Sequence, residues 1–504
     1  MTHSNLSKEA RIEPFRITQT DSINLEDDVR GRLSQIVHSV ETGSNDVLRS
    51  PFLSDLTDEE ALSVFDEVFL DDIENLPPAF RDLELSNRDK FGPRSIAVDW
   101  SKRKASLMEY FNFEDRKKEI PAEPLTSGRL RRISATNAVK TLKNQTSSGL
   151  PKLEKKAVLK QGILAVLQDE LDAKYPCVPY TRTQEREKTR NIWGYPISDT
   201  INETTVASPL TEYYKTHSSY RSALAGPSNV DKRLQTLLNR PGKKVSIDFT
   251  AYDASIDPHL QVAARDKAKS HFQATEHDFI DSLYHRMGTI GIVTPDGIYN
   301  GSHGVPSGSP FTNIVDSDVQ YLIARLVLIP EDEADIHGDD GAYNSANPDK
   351  LISNFIDHGL KVNEDKTHIS DDYFIYLQNY YSLEDNGDVH GKYPIYRAYM
   401  RLRFLERWTN FERVGLTGQD FFNMRAISIL ENVRYHPLFE KLVKFVTEKD
   451  KFGLDVSEQG LINYVNMIRQ SSGTQGVLLN QRGDDLEGIR NFADRKSTRL
   501  NSSH

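Results

Sequence analysis

The chain has a single cysteine, Cys177. One thiol closes no internal disulfide, builds no cysteine-based zinc cage and forms no CxxC redox centre. Long apolar runs are missing too. No stretch approaches 18 apolar residues, and the N-terminus (MTHSNLSKEARIEPF) lacks the apolar centre of a signal sequence. The sequence therefore predicts neither secretion by a standard signal nor a membrane span. Internal repeats are absent, which sets aside repeat arrays. An excess of positive charge is missing as well: 63 Lys and Arg stand against 74 Asp and Glu, a net of −11. As an average, that argues against a nucleic-acid partner.

The average hides a local field. Residues 101–190 hold 20 basic and 11 acidic residues, a net of +9, which leaves −20 for the remainder. Residues 1–100 are the acidic counterpart, with 10 basic and 21 acidic residues. Hydrophobic residues at 37% and charged residues at 27% describe a globular chain rather than a disordered one. Its 504 residues suit about three domains, at roughly 150 residues each, or one large multi-lobed enzyme.

Apolar spacing predicts helices over most of residues 1–100, as in DEEALSVFDEVFL (58–70), which NLPPAF (75–80) interrupts. NQTSSGLP (144–151) reads as a turn cluster that leads into a helical segment at 152–171. KKVSIDF (243–249) reads as a short buried strand ending in a carboxylate. A helix over 257–273 follows, with Asp257 as N-cap and Pro258 in its first position. The loop GVPSGSPFTN (304–313) feeds a helix running to about Val327. ADIHGDDGAYN (334–344) reads as two strands around a tight turn, with Gly338 and Gly341 supplying positive φ. Helical spacing returns from about 396 to 470. The last residues, DRKSTRLNSSH (494–504), read as a translated sequencing-adapter oligonucleotide, with the natural C-terminus lost, and stand outside the fold.

The chemistry begins with carboxylates. Asp248 ends a predicted strand, Asp253 follows, and Asp339 and Asp340 sit on a predicted hairpin turn. Acidic groups at neighbouring strand ends converge, and such clusters take Mg²⁺, a hard cation with oxygen ligands. Two such ions activate an attacking hydroxyl and stabilise a leaving pyrophosphate. A GDD triplet alone means little, since a second copy stands at 483–485 in a polar segment that reads as surface. Context separates the first copy: Asp248 upstream and the Ser307-Gly308-Ser309-Pro310-Phe311-Thr312 loop between. Backbone N–H groups and hydroxyls of such a loop can hold sugar and phosphate. RTQEREKTRNIWGYP (182–196) carries Arg182, Arg186, Lys188 and Arg190, which on an extended segment would line one face and neutralise a triphosphate. Glu185 and Glu187 would face away or pair structurally.

These segments, in this order, resemble the viral RNA-dependent RNA polymerases. TSSGLP (146–151) is similar to motif G, REKTR (186–190) to motif F, and DFTAYD (248–253) to motif A. SGSPFT (307–312) is similar to motif B, GDD (338–340) to motif C, GLKVNEDK (359–366) to motif D, and FIYLQNYY (374–381) to motif E. The texture is most similar to polymerases of picobirnaviruses, then of partitiviruses.

The resemblance implies a multidomain α+β right-hand polymerase of fingers, palm and thumb, its palm an antiparallel sheet backed by helices. Residues 1–100 would join fingers and thumb. Residues 101–242 would form the fingers and 243–395 the palm, with a fingers insertion near 270–303. Residues 396–493 would form a helical thumb. Two Mg²⁺ ions, with Mn²⁺ as a substitute, would bind Asp248, Asp339, Asp340 and the Phe249 carbonyl. Arg182, Arg186, Lys188 and Arg190 would meet the NTP, as would Asp253, Ser307, Gly308, Thr312 and Asp316. Lys366 would protonate pyrophosphate. Ser147, Ser148, Gly149 and Pro151 would guide the template. The expected partners are template and product RNA, NTPs and a viral capsid protein, in the virion interior and the host cytoplasm, without a membrane.

One position departs from the family's motif B, S-G-x3-T-x3-N. Asp316 stands where the 2′-hydroxyl-sensing asparagine is expected, and Asn313 would point elsewhere on the helix. Asp253, or a bridging hydroxyl of Ser307 or Thr312, is then expected to sense the 2′-OH, with Asp316 holding that donor. Two other readings compete. A reverse transcriptase would carry an aromatic residue near Asp253 and an aromatic-x-Asp-Asp motif. A non-catalytic RNA-binding protein would not need Asp248, Asp339, Asp340 and Lys366 together.

Overall fold

The computed structural model describes residues 10–113, 117–122 and 124–472. The second GDD and the adapter-like tail lie outside the described residues. Eleven strands are labelled in chain order. They are β1 (Arg16–Thr18), β2 (Val178–Thr183), β3 (Thr189–Gly194), β4 (Lys243–Ile247), β5 (Ile292–Thr294), β6 (Gly297–Asn300), β7 (Ala334–His337), β8 (Asp340–Ser345), β9 (His368–Ser370), β10 (Tyr373–Tyr376) and β11 (Asn379–Ser382).

The central element is a four-stranded antiparallel sheet in the order β7-β8-β4-β9. Alternation of side chains along its strands gives it two faces. Val245, Ile247, Ile336 and Tyr343 enter the largest core, with residues of the Pro258–His271, Thr312–Ala324 and Pro348–Asp357 helices. Ala342 turns the other way, to Leu234 and Leu237 and to Phe374 and Tyr376 of the β10–β11 hairpin. Ser246 on that face accepts a hydrogen bond from the Ile375 N–H at 3.0 Å. The helix after β4 starts as its sequence dictates: Asp257 accepts from the His259 and Leu260 N–H groups, each at 2.9 Å, and Pro258 opens the first turn.

The N-terminal hundred residues do not form a body of their own. Val29 and Leu33 of the Asp27–Thr42 helix pack on Val178, Val293 and Ile298, beside the β2–β3 and β5–β6 hairpins. The Asp58–Glu74 helix instead buries Phe65 and Phe69 against Tyr396, Tyr399 and Phe445 near the other end of the chain. Truncating one such buried ring to alanine costs about 3–5 kcal/mol. Strand β1, which the helical reading of this region does not anticipate, adds to the edge of β6. The 152–171 segment is not one helix but two, Lys156–Leu159 and Ile163–Ala173. Among the described residues, no helix is long and apolar enough to cross a membrane.

Candidate active site

Strand register brings the acidic residues together. Ile247 pairs with Gly341, and His337 pairs with Asp340. Asp248 therefore leaves β4 beside the start of β8, where Asp340 stands, and Asp339 occupies the two-residue turn. Gly338, the first turn residue, has φ +65°. Gly341 does not have the positive φ expected of it. It lies within β8, where a Cβ would meet Gln320 at 2.5 Å and Tyr343 at 2.6 Å. Close packing, not turn geometry, requires glycine there.

The carboxylates act on one another. Burial, followed by the charges of Asp339 and Asp248, pushes Asp340 up to about 8. Burial and then Asp339 push Asp253 up to about 7, against the pull of Arg190. Asp316 is buried and driven well above the usual carboxylate range by burial, then by Asp253 and Asp339. Asp248 is raised by burial, while Lys366 opposes the rise. Lys366 Nζ lies 3.8 Å from Asp248 Oδ2. Like charges crowded this way favour a bound cation, and the oxygen-only donor set suits a hard divalent ion. Among the described residues, no three His, Cys, Asp or Glu side chains close to metal-binding geometry. The carboxylates gather at neighbouring strand ends without meeting at one point. Phe249 keeps its ring against Tyr252 and Phe355 in the core, and its backbone bridges to Val362 next to Asp248.

The basic residues divide. Lys188 feels Asp248 and Asp339, and burial with Arg190 and Lys366 lowers its affinity for a proton. Arg190 acts on Asp253 and Asp340. Arg182 pairs instead with Glu406 at 3.7 Å, and Arg186 donates to the Asp89 carbonyl at 2.9 Å. The segment is not extended throughout: Arg186 and Glu187 adopt φ of 54° and 55° in the β2–β3 turn. Arg186 is thereby turned away from the row predicted for it. Glu185 pairs with Arg94 at 3.1 Å.

Two cations absent from the sequence reading reach the same space. Lys90 is lowered by burial, then by Arg397 and Lys366, and Arg397 also acts on Asp340. Arg397 Nη1 donates to Asn87 Oδ1 at 3.4 Å, which brings the end of the Pro78–Arg88 helix to the Ile395–Arg403 helix. Only the fold joins these residues, so no local pattern marks them.

In the 304–312 loop, the Val305 N–H donates to the Asp253 carbonyl at 2.8 Å. Gly308 packs on the Trp193 carbonyl so closely that a Cβ would lie 1.8 Å from it. Ser309 donates to buried Glu203. Thr312 Oγ1 donates into its own loop, to Pro306 and Ser309 carbonyls at 2.9 and 2.8 Å. Its proton is therefore committed within the loop, which leaves its lone pairs to meet a donor. Ser307 Oγ and Asp316 Oδ1 are each buried without a hydrogen-bond partner among the described residues. Asp316 thus holds no hydroxyl donor through that oxygen among the described residues.

The 146–151 loop also differs from its expected use. Ser148 is fully buried, and its Oγ accepts from the Glu154 N–H at 3.1 Å. Gly149, at φ +64°, lies where a Cβ would sit 2.4 Å from the Tyr195 carbonyl. Both shape the loop from within and cannot touch a strand. Ser147, which accepts from Tyr180 Oη at 2.8 Å, and Pro151 remain partly exposed.

Residues 100–395, more than half the chain, match the family described as viral RNA-dependent RNA polymerase. A curated protein of a human picobirnavirus (strain Human/Thailand/Hy005102/-), described as a potential RNA-dependent RNA polymerase, is 25% identical over 473 residues. The match covers 85% of this chain and 86% of that one. The crystal structure of a human picobirnavirus RNA-dependent RNA polymerase superposes with a TM-score of 0.80 at 22% identity, covering 96% of this chain and 100% of that one. Its insertion-loop deletion mutant gives 0.77 at 22% identity, over 94% and 99%. These structures share the right-hand α+β fold.

Proposed function

This chain belongs to the viral RNA-dependent RNA polymerases, and from that premise we propose that it replicates and transcribes the double-stranded RNA genome of a picobirnavirus-like virus. The observation that carries the catalytic reading is the mutual crowding of Asp248, Asp339 and Asp340 at adjoining strand ends, faced by Lys188, Arg190 and Lys366. Asp248, Asp339, Asp340 and the Phe249 carbonyl would hold two Mg²⁺ ions, with Mn²⁺ as a substitute. When bound, such ions activate the attacking 3′-hydroxyl and stabilise the leaving pyrophosphate.

The chain's own groups do the rest. Lys188 and Arg190 bind the triphosphate, and Lys366 gives a proton to the departing pyrophosphate. Asp253 and Ser307 face the ribose, Gly308 and Thr312 hold the loop beside it, and Asp316 backs that pocket. Arg182 and Arg186 fix the β2–β3 hairpin. Ser147 and Pro151 border the template strand, in a loop that Ser148 and Gly149 shape. The fingers correspond to 101–242, the palm to 243–395 with an insertion near 270–303, and the thumb to 396–493. Residues 1–100 bridge fingers and thumb. A capsid protein is a further partner, and the virion interior and host cytoplasm the place of action.

A reverse-transcriptase reading lacks support: Asp253 stands near the position where an aromatic residue would bar the ribose, and His337-Gly338 precedes the aspartates. The deciding experiment is NTP and dNTP incorporation on a short RNA template with Mg²⁺, beside Asp339→Asn. RNA synthesis by the parent and none by the variant is expected. Equal activity in both would remove this site.

A further inference from the structure

The Thr312–Ala324 helix, which carries Asp316, presents three further polar residues along the same broad side. Asn313, Ser317 and Gln320 recur at i, i+4 and i+7, so they stack along one side. That side meets the catalytic turn. The Gly338 N–H donates to Ser317 Oγ at 2.8 Å, and Gln320 Nε2 donates to the Gly338 carbonyl at 2.6 Å. Both polar groups of one glycine are thus held by one helix. Ser317 and Gln320 are fully buried, so water does not compete for either bond.

Each holder is fixed from behind. Ser317 Oγ donates to the Asn313 carbonyl at 2.7 Å, and Tyr343 Oη donates to Gln320 Oε1. Asn313 Oδ1 in turn accepts from Arg221 Nη2 at 2.7 Å, and Arg221 lies 3.8 Å from the buried Asp318 carboxylate. Gly338 needs such bracing. A two-residue turn with positive φ at its first position is a type II′ pattern, and glycine is the residue type with the most backbone freedom to lose there.

We infer that Ser317 and Gln320 are positioning residues for nucleotide transfer: by gripping Gly338 they fix the backbone from which Asp339 projects. The helix that borders the nucleotide thereby also sets the carboxylate. This rests on the reading of Asp339 as a metal-binding group.

The test uses Ser317→Ala and Gln320→Met in the full chain, with Tyr343→Phe and Asp339→Asn beside them. Tyr343→Phe removes a bond to the same Gln320 side chain but none to the turn. Four quantities are measured: single-turnover rate, Mg²⁺ half-saturation, RNA affinity and thermal midpoint. Ser317→Ala and Gln320→Met should each slow the step by about 10- to 100-fold and raise the Mg²⁺ half-saturation, with RNA affinity unchanged. Tyr343→Phe should keep the parental Mg²⁺ half-saturation. Parental rates and Mg²⁺ dependence in both grip variants would overturn the inference, as would an equal Mg²⁺ shift in Tyr343→Phe. Ser317→Ala deletes a single oxygen, and it decides the matter alone should Gln320→Met not fold. An active Asp339→Asn would sink the catalytic reading instead; an inactive one beside parental grip variants sinks only the grip.

Discussion

Two antiparallel hairpins carry the opposite charges of the site, and they are held in different ways. The acidic β7–β8 hairpin lies inside the four-stranded sheet, and its two-residue turn is gripped by neutral, buried hydrogen bonds from one helix. The basic β2–β3 hairpin is a separate two-stranded ribbon. Its longer turn closes with the Gln184 N–H on the Lys188 carbonyl at 2.8 Å. The turn is tied down by charged side chains, Glu185 to Arg94 and Arg186 to the Asp89 carbonyl. Oxygens that share a metal ion must be placed to within a few tenths of an ångström. A long cation can follow a moving phosphate. The acidic side is set by neutral packing, while the exposed cations of the basic side should feel salt.

Four experiments press on that contrast. The acidic hairpin and the neighbouring end of β4 should not tolerate even an isosteric change. Asp248→Asn and Asp339→Asn are each expected to abolish synthesis with the fold intact, as read by NTP incorporation and thermal unfolding. Residual synthesis near the parental rate in either would mean that the carboxylates are not the ligands. Lys366→Leu comes next. It is expected to slow nucleotide addition by roughly 10²–10⁴ with apparent NTP binding changed far less. An unchanged single-turnover rate would leave Lys366 as a solvated neighbour of Asp248.

The basic hairpin should give way more gently. Binding of single-stranded RNA should weaken with salt at a log–log slope of about −0.7 per phosphate contacted. Lys188→Glu or Arg190→Glu should flatten that slope, and Lys188→Arg should keep it. A slope near zero in the parent would show that the +9 segment makes no RNA channel. The smallest effect expected is on sugar choice. Asp253→Ala should narrow the preference for NTP over dNTP by about 10-fold, equivalent to about 1.4 kcal/mol of lost discrimination. Asp316→Asn should change it less. Unchanged incorporation ratios in both variants would take this pair out of the sugar gate.

Elements whose causes are local were legible from residue order. The Asp257 cap, the strand ending at Asp248 and the Gly338 turn each need only neighbours in the chain. What escaped was set by distant contacts. Gly341 looks like a turn glycine, but its reason is the Gln320 and Tyr343 side chains pressed on it. Ser148 has the right type for a template contact, and burial cancels that role. The charges of residues 185–188 alternate whether the backbone is a strand or a turn, and two non-glycine residues at positive φ chose the turn. Lys90 sits in an acidic region and Arg397 in a helix, so neither announces itself. The grip of Ser317 and Gln320 was hidden in the same way, since polar residues at helical spacing read as a solvated face.

The Asp58–Glu74 helix also carries a timing problem. Much of what covers its aromatic face stands far along the chain: Asp66 accepts a hydrogen bond from a tyrosine 330 residues further on, and Phe65 and Phe69 meet Phe445 later still. At 5–20 residues per second, a ribosome needs roughly 15–75 s to deliver those partners. Through that interval the nascent chain holds an aromatic stripe that its own early residues cover only in part. Helices made late close over one made early, so a chain released before residue 445 would leave part of that stripe open.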